Sequence, residues 1–166
     1  MNELLEKFLA LLEGETGLYE SLLSVLQEEK RAVVNSALND LNETVKEKEN
    51  LALKIRILEE QLLRTTEKLA DSLGYPSHRL TLTDLSELVE EPYATRLGES
   101  RSILLSLTQS IQEINQTNRG LLCHSIELVK GSLSLLNNLM HSNPVYYRSC
   151  QVQLGDQSWK FLSGRV

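Results

Sequence analysis

Apolar residues recur at steps of three and four along most of this 166-residue chain, the spacing of helices that each lay one face on a core. In the first stretch Leu4, Phe8, Leu11, Leu18, Leu22 and Val25 hold this phase, with Glu15 as its one polar member. Leu5, Leu12, Tyr19 and Leu26 repeat at seven beside them. The stripe predicts a helix over about 3–34. Gly14 and Gly17 each weaken it by about 1 kcal/mol, which invites a kink, but the stripe keeps phase across both.

Residues 35–39 read as a linker, and Asp40 as an N-cap with Glu43 three places on. Leu41, Val45, Leu51, Ile55, Leu58, Leu62, Leu69 and Leu73 then predict a second helix over about 40–73, closed by Gly74 and Pro76. Two long amphipathic helices joined by a short link imply an antiparallel hairpin. Thr83-Asp84 starts a short helix over 83–91, ended by Pro92. The fourth helix, 93–140, carries Leu104, Leu107, Ile111, Ile114, Leu121, Leu128, Leu135 and Leu139 on one seam. Asn118, Ser125 and Ser132 complete that seam at seven-residue spacing, a pattern that allows close approach or pins register at some cost in stability. Helical period stops after Met140. The expected architecture is all-α: a long antiparallel hairpin, a short helix and a long C-terminal helix forming a three-helix bundle over 1–140, with a non-helical tail over 141–166.

Composition supports this reading. Aromatic residues make up only 5% and the apolar residues are mostly Leu, so straight-chain helix formers dominate. The formal charge of −6 argues against a nucleic-acid partner, which would need a basic face. That charge is uneven, with 14 Lys/Arg against 22 Asp/Glu in residues 1–140 and Arg148, Lys160 and Arg165 against Asp156 in the tail. An acidic opening, Met-Asn-Glu-Leu-Leu-Glu, does not read as a secretory signal, and no apolar run approaches the ~20 residues of a membrane helix. Cys123 and Cys150 are two lone thiols, as in a reducing cytosol.

No enzyme signature stands out, and no cofactor is expected. The chain has no Gly-rich phosphate loop and no metal spacing among Cys and His. His124, followed by Lys130 and Gly131, evokes helical phosphotransfer domains, but the Lys and Gly lie one turn too far along. The Glu pairs, Glu28-Glu29 and Glu59-Glu60, read as solvated faces.

The informative stretch is Gly131 to Tyr147, which holds no Asp, Glu, Lys or Arg. Leu133, Leu135, Leu136, Leu139 and Met140 spread more widely around the helix than one seam needs, which reads as a helix apolar nearly all round and covered on more than one side. The hairpin supplies one cover. The tail, a second copy or a partner supplies the other. Tyr146, Tyr147, Trp159 and Phe161 concentrate aromatic surface in the tail, fitting either a recognition segment or a segment that packs back.

The run Ile114-Asn115-Gln116-Thr117-Asn118-Arg119-Gly120-Leu121-Leu122, followed by Ser125-Ile126-Glu127-Leu128-Val129, resembles the Ile/Leu-Asn-x-x-Asn-x-x-Leu-Leu core of the FlgN family. The Leu-Leu pairs and Tyr19 of the first helix, the Ala37-Leu38-Asn39-Asp40 link, Lys46-Glu47-Lys48-Glu49, the Leu80-Thr81-Leu82 loop with Leu85, and a Tyr soon after the last helix continue the likeness over most of 1–147. The resemblance implies a cytoplasmic chaperone for the hook-filament junction proteins FlgK and FlgL. Such a chaperone holds their C-terminal amphipathic helices and brings them to the export gate component FlhA, without nucleic acid or direct membrane insertion. Carried onto this sequence, the client site is Leu121, Leu122, Leu128, Val129, Leu133, Leu136, Leu139 and Met140, and the gate contact is Tyr146 or Tyr147. A weak homodimer is compatible with this reading. The competing reading is a self-associating coiled-coil scaffold, in which Asn118 specifies the pairing of two copies.

Overall fold

Leu-rich stripes at helical spacing produce long helices, and the computed structural model, which describes residues 1–76 and 80–141, is all-α as expected. It contains α1 (Asn2–Val34), α2 (Leu38–Leu73), α3 (Leu82–Leu88) and α4 (Tyr93–His141), with no strand among the described residues. The chain divides into two compact units, Met1–Ser125 and Ile126–Val166, so α4 contributes to both.

In the first unit α1 and α2 form an antiparallel hairpin. Met1 meets Ser72 at one end and Glu29 meets Lys48 toward the other. The turn is three residues long, and Ser36 adopts the left-handed conformation at φ 54° that a glycine more often supplies. Its N–H donates to the Val33 carbonyl, and the Ala37 N–H donates to Ala32, which satisfies the end of α1. Helix α1 runs unbroken through Gly14 and Gly17.

Helix α2 begins two residues before the expected cap. Ala37 occupies the N-cap, and Asp40 lies in the first turn, where its charge complements the positive end of the helix dipole. Gly74 closes α2 in the left-handed conformation at φ 66°, and the Tyr75 N–H donates to the Ala70 carbonyl.

Helix α3 also departs from the expectation. Its N-cap is Thr81, and Asp84 is the reciprocal member of a capping box: Asp84 N–H donates to Thr81 Oγ1 and Thr81 N–H donates to Asp84 Oδ2. The Thr81 hydroxyl also donates to Asp84 Oδ2, and this bond first, then the one from the Thr81 N–H, lowers the Asp84 carboxyl below its ordinary value. Helix α3 stops at Leu88 because Val89 turns extended and packs its side chain against the core. The released Glu91 then caps α4, its carboxylate accepting from the Thr95 N–H and hydroxyl.

The main core lies where all four helices meet: Leu5, Phe8, Leu9 and Leu12 of α1, Leu69 of α2, Leu85 of α3 and Leu97 of α4. Nearby, Arg96 of α4 makes two contacts of 3.1 Å to the Glu6 carboxylate and one of 3.5 Å to Glu13. This exposed cluster adds little stability; together with the bonds from Asn118 to Leu26 and Glu29 it shows that α4 runs parallel to α1.

In the second unit, the described residues are the last part of α4, 126–141, helical throughout.

Candidate functional site

Helix α4 carries a seven-residue repeat. Within the first unit Leu97, Leu104, Ile111, Asn118 and Ser125 form one column, and Ser100, Leu107, Ile114 and Leu121 the other, all of them buried or half-buried. The register against α1 is read from three contacts, Arg96–Glu6, Asn118–Leu26 and Asn118–Glu29, whose partners differ in number by 90, 92 and 89. Helix α1 ends at Val34, so its last turn falls opposite the stretch of α4 around Ser125.

Asn118 is the polar centre of this seam and is 2% exposed. Its Nδ2 donates to the Leu26 carbonyl at 2.8 Å and to Glu29 Oε2 at 2.9 Å. Glu29, 3% exposed, also holds Lys48 of α2 through its other oxygen. Three helices are thereby tied at one buried polar point. This overturns the solvated-face reading of Glu29. A Glu-Glu pair on a helix spans two directions about 100° apart, so one member can face water while the other faces the core. Glu28 does the first and Glu29 the second.

The family-derived residues fall into two groups. Leu121 and Leu122 are half-buried in the first unit. Leu128, Val129, Leu133, Leu136, Leu139 and Met140 belong to the second unit and are between 55% and 78% exposed. Ile126 and Leu135 are exposed beside them. At ~100° per residue these apolar side chains occupy about half of the helix circumference. Glu127, Lys130, Gly131, Ser134, Asn137 and Asn138 occupy the other half. The expectation of a helix apolar nearly all round is corrected here: the stretch lacks charge, but its Ser and Asn residues still make a polar side. Tyr146 and Tyr147, and any cover provided by the tail, lie outside the described residues. Cys123 and His124 are exposed on α4.

A second concave feature lies wholly in the first unit. Phe8, Leu12, Leu62, Leu82, Leu85 and Leu104 line a groove of ≈ 210 Å³, with Glu15 at its edge. Glu15, Tyr19 and Arg101 line its continuation. Burial raises the Glu15 carboxyl above its ordinary value, against a lowering hydrogen bond from Tyr19. Tyr19 is pushed up to about 12, first by burial and then by the charge of Glu15. Unfolded, this phenol loses its proton near 10; folded, it keeps it longer. Its contribution to stability is therefore complete below pH 10 and is lost as the pH rises toward 12. Tyr19→Phe is expected to show a shallower fall of the urea midpoint than the parent between pH 10 and pH 12, measured as the difference between the two titrations.

Among the described residues no group of three His, Cys, Asp or Glu is placed to hold a metal ion, and no helix is long and apolar enough to cross a membrane. The first unit is a helical bundle, and the described end of α4 presents an exposed amphipathic face. The family described as FlgN protein matches residues 1–151, and the chain belongs to that family of flagellar chaperones. No curated protein and no solved structure matches it.

Proposed function

We propose that this protein is the cytoplasmic export chaperone of hook-filament junction proteins of the FlgK and FlgL type. It holds the amphipathic C-terminal helix of an unassembled subunit and passes it to the export gate component FlhA. The observation that carries this reading is the exposed apolar half of α4 over 126–140, on a helix whose opposite half is polar. A client helix laid along that half removes apolar surface from both partners. At roughly 1.5–3 kcal/mol per large apolar side chain buried, a few such contacts suffice for specific binding. Leu128, Val129, Leu133, Leu136 and Met140 form the centre of the client surface, with Leu139 beside them; Leu121 and Leu122, in the first unit, are the remaining family-derived positions. Tyr146 or Tyr147 touches the gate. The 126–140 stretch carries only Glu127 and Lys130 as charged groups, so the face selects clients by shape and hydrophobicity rather than by charge.

The scaffold reading drew its support from Asn118 as a pairing device between copies. Both amide hydrogens of Asn118 are engaged within its own chain, which takes that support away.

The test replaces Leu133 and Leu136 by Asp in the full chain. Both are exposed, so helical content and thermal midpoint are expected to stay. Binding of a FlgK- or FlgL-type C-terminal helix peptide, followed by titration calorimetry, is expected to be lost. Unchanged peptide affinity would overturn the assignment. A dimer that resists dilution in sedimentation and dissociates with the double substitution would favour the scaffold instead.

A further inference from the structure

A seam that repeats every seven residues does not define its own register. Sliding α4 past α1 by seven residues, ~10 Å along the axis, brings Leu, Ile and Ser back into nearly equivalent places. Asn118 breaks that equivalence. Only in the observed register does its amide meet both the Leu26 carbonyl and Glu29, while Lys48 holds the other oxygen of Glu29. A slip of seven sets either Ile111 or Ser125 opposite Glu29. Ile111 has no donor. The Ser125 hydroxyl already donates to the Leu121 carbonyl and is too short to span two acceptors. In either case a buried carboxylate loses a donor where water does not replace it, which is the costly outcome for a polar group.

We propose that Asn118 is a positioning residue that, with Glu29 and Lys48, locks the register of α4 on the hairpin and thereby sets where α1 ends against α4. In the locked register that end falls near Ser125, the last residue of the first unit. Slipped by one heptad, α1 would end opposite Asn118 or Ser132 instead. A different set of α4 residues would then lie beyond its reach. The consequence for clients rests on the function proposed above; the lock itself does not. A leucine at 118 would match the seam's apolar character and pack well, yet it would be indifferent to register. Retaining a buried polar group where an apolar one would fit is the known cost of specifying one alignment over its neighbours.

The experiment uses the full chain with Cys123→Ser and Cys150→Ser, and spin labels at Glu3→Cys and Gln112→Cys, both exposed positions far apart along the bundle. Label-to-label distances are measured by pulsed electron resonance in this background, in Asn118→Leu, and in the double substitution Glu29→Leu/Asn118→Leu, which leaves no carboxylate unpaired. The background is expected to give one distance. Both variants are expected to add a population displaced by ~10 Å, with no loss of thermal midpoint in the double substitution. A single, undisplaced distance in both variants overturns the proposal, as does loss of helical content in both, which would make Asn118 a requirement of folding. If the displaced population appears but the unaltered protein binds no FlgK- or FlgL-type peptide, the lock stands and the proposed function falls.

Discussion

Leu69→Ala is expected to remove about 2–5 kcal/mol of unfolding free energy. Leu69 is fully buried, with 0% of its surface exposed, where α2 crosses the Leu5, Phe8, Leu9 and Leu12 ridge of α1 and meets Leu85 and Leu97. Truncation takes away three carbons and leaves a void that these neighbours only partly fill, because each already touches others from a different helix. For a domain whose whole stability is about 5–15 kcal/mol, the loss is a large share. The measurement is a urea transition: the midpoint should fall while the slope stays. Leu128→Ala supplies the contrast. Leu128 is 59% exposed, and its truncation should move stability by no more than about 0.5 kcal/mol. The pair of results separates leucines that hold the bundle from leucines available to a partner, although the sequence gives both the same helical phase.

That shared phase explains what the sequence could and could not reveal. The stripes specified the all-α class and the hairpin, because an apolar residue at every third or fourth place leaves few other ways to bury it. The run from Ile114 to Val129 pointed to the FlgN family, and that membership holds. Periodicity also singled out Asn118 as a polar intruder in an apolar seam. It could not name Glu29 and Lys48 as the partners. Their meeting depends on the register of three helices, with sequence separations of 89 and 19 residues. Nothing local in Glu28-Glu29 says which carboxylate turns inward. Helix ends were read least well, for a related reason. Thr83-Asp84 looked like the start of α3 because Asp is a common cap, yet Thr81 reaches Asp84 at the spacing that closes a reciprocal box. The termination at Val89 depends on a side chain finding the core, which is a tertiary fact. In the candidate surface, absence of charge over Gly131–Tyr147 was legible, but it overstated the apolar arc, since Ser134, Asn137 and Asn138 line up on one side.

Asn118→Asp is the other substitution expected to act strongly, and it probes the energy of the polar point rather than its role in alignment. The change is nearly isosteric, so packing is preserved and the chemistry alone is altered. An amide that donates to the Leu26 carbonyl and to Glu29 becomes, when ionised, a group with acceptors only. Two carboxylates then face each other in a site where Glu29 is 3% exposed and is paired with Lys48 among the described residues. Lys48 is 27% exposed along its side chain and already engaged at the far oxygen of Glu29, so it cannot neutralise both. An uncompensated buried charge of this kind costs about 3–5 kcal/mol at neutral pH. The sign of the pH dependence follows from which state holds the proton. Burial beside another carboxylate favours the protonated form of the new side chain in the folded protein, whereas in the unfolded chain it ionises near the ordinary value of about 4. Below its folded value the new carboxyl is neutral and donates an O–H to Glu29, so the deficit relative to the parent is smallest in acid and grows as the pH rises to neutrality. Urea midpoints of parent and variant, taken in parallel from pH 4.5 to pH 7.5, should therefore diverge with rising pH. A gap that stays constant across that range would mean that the carboxylate at 118 escapes to solvent, and that the buried junction of α1, α2 and α4 is looser than its hydrogen bonds imply.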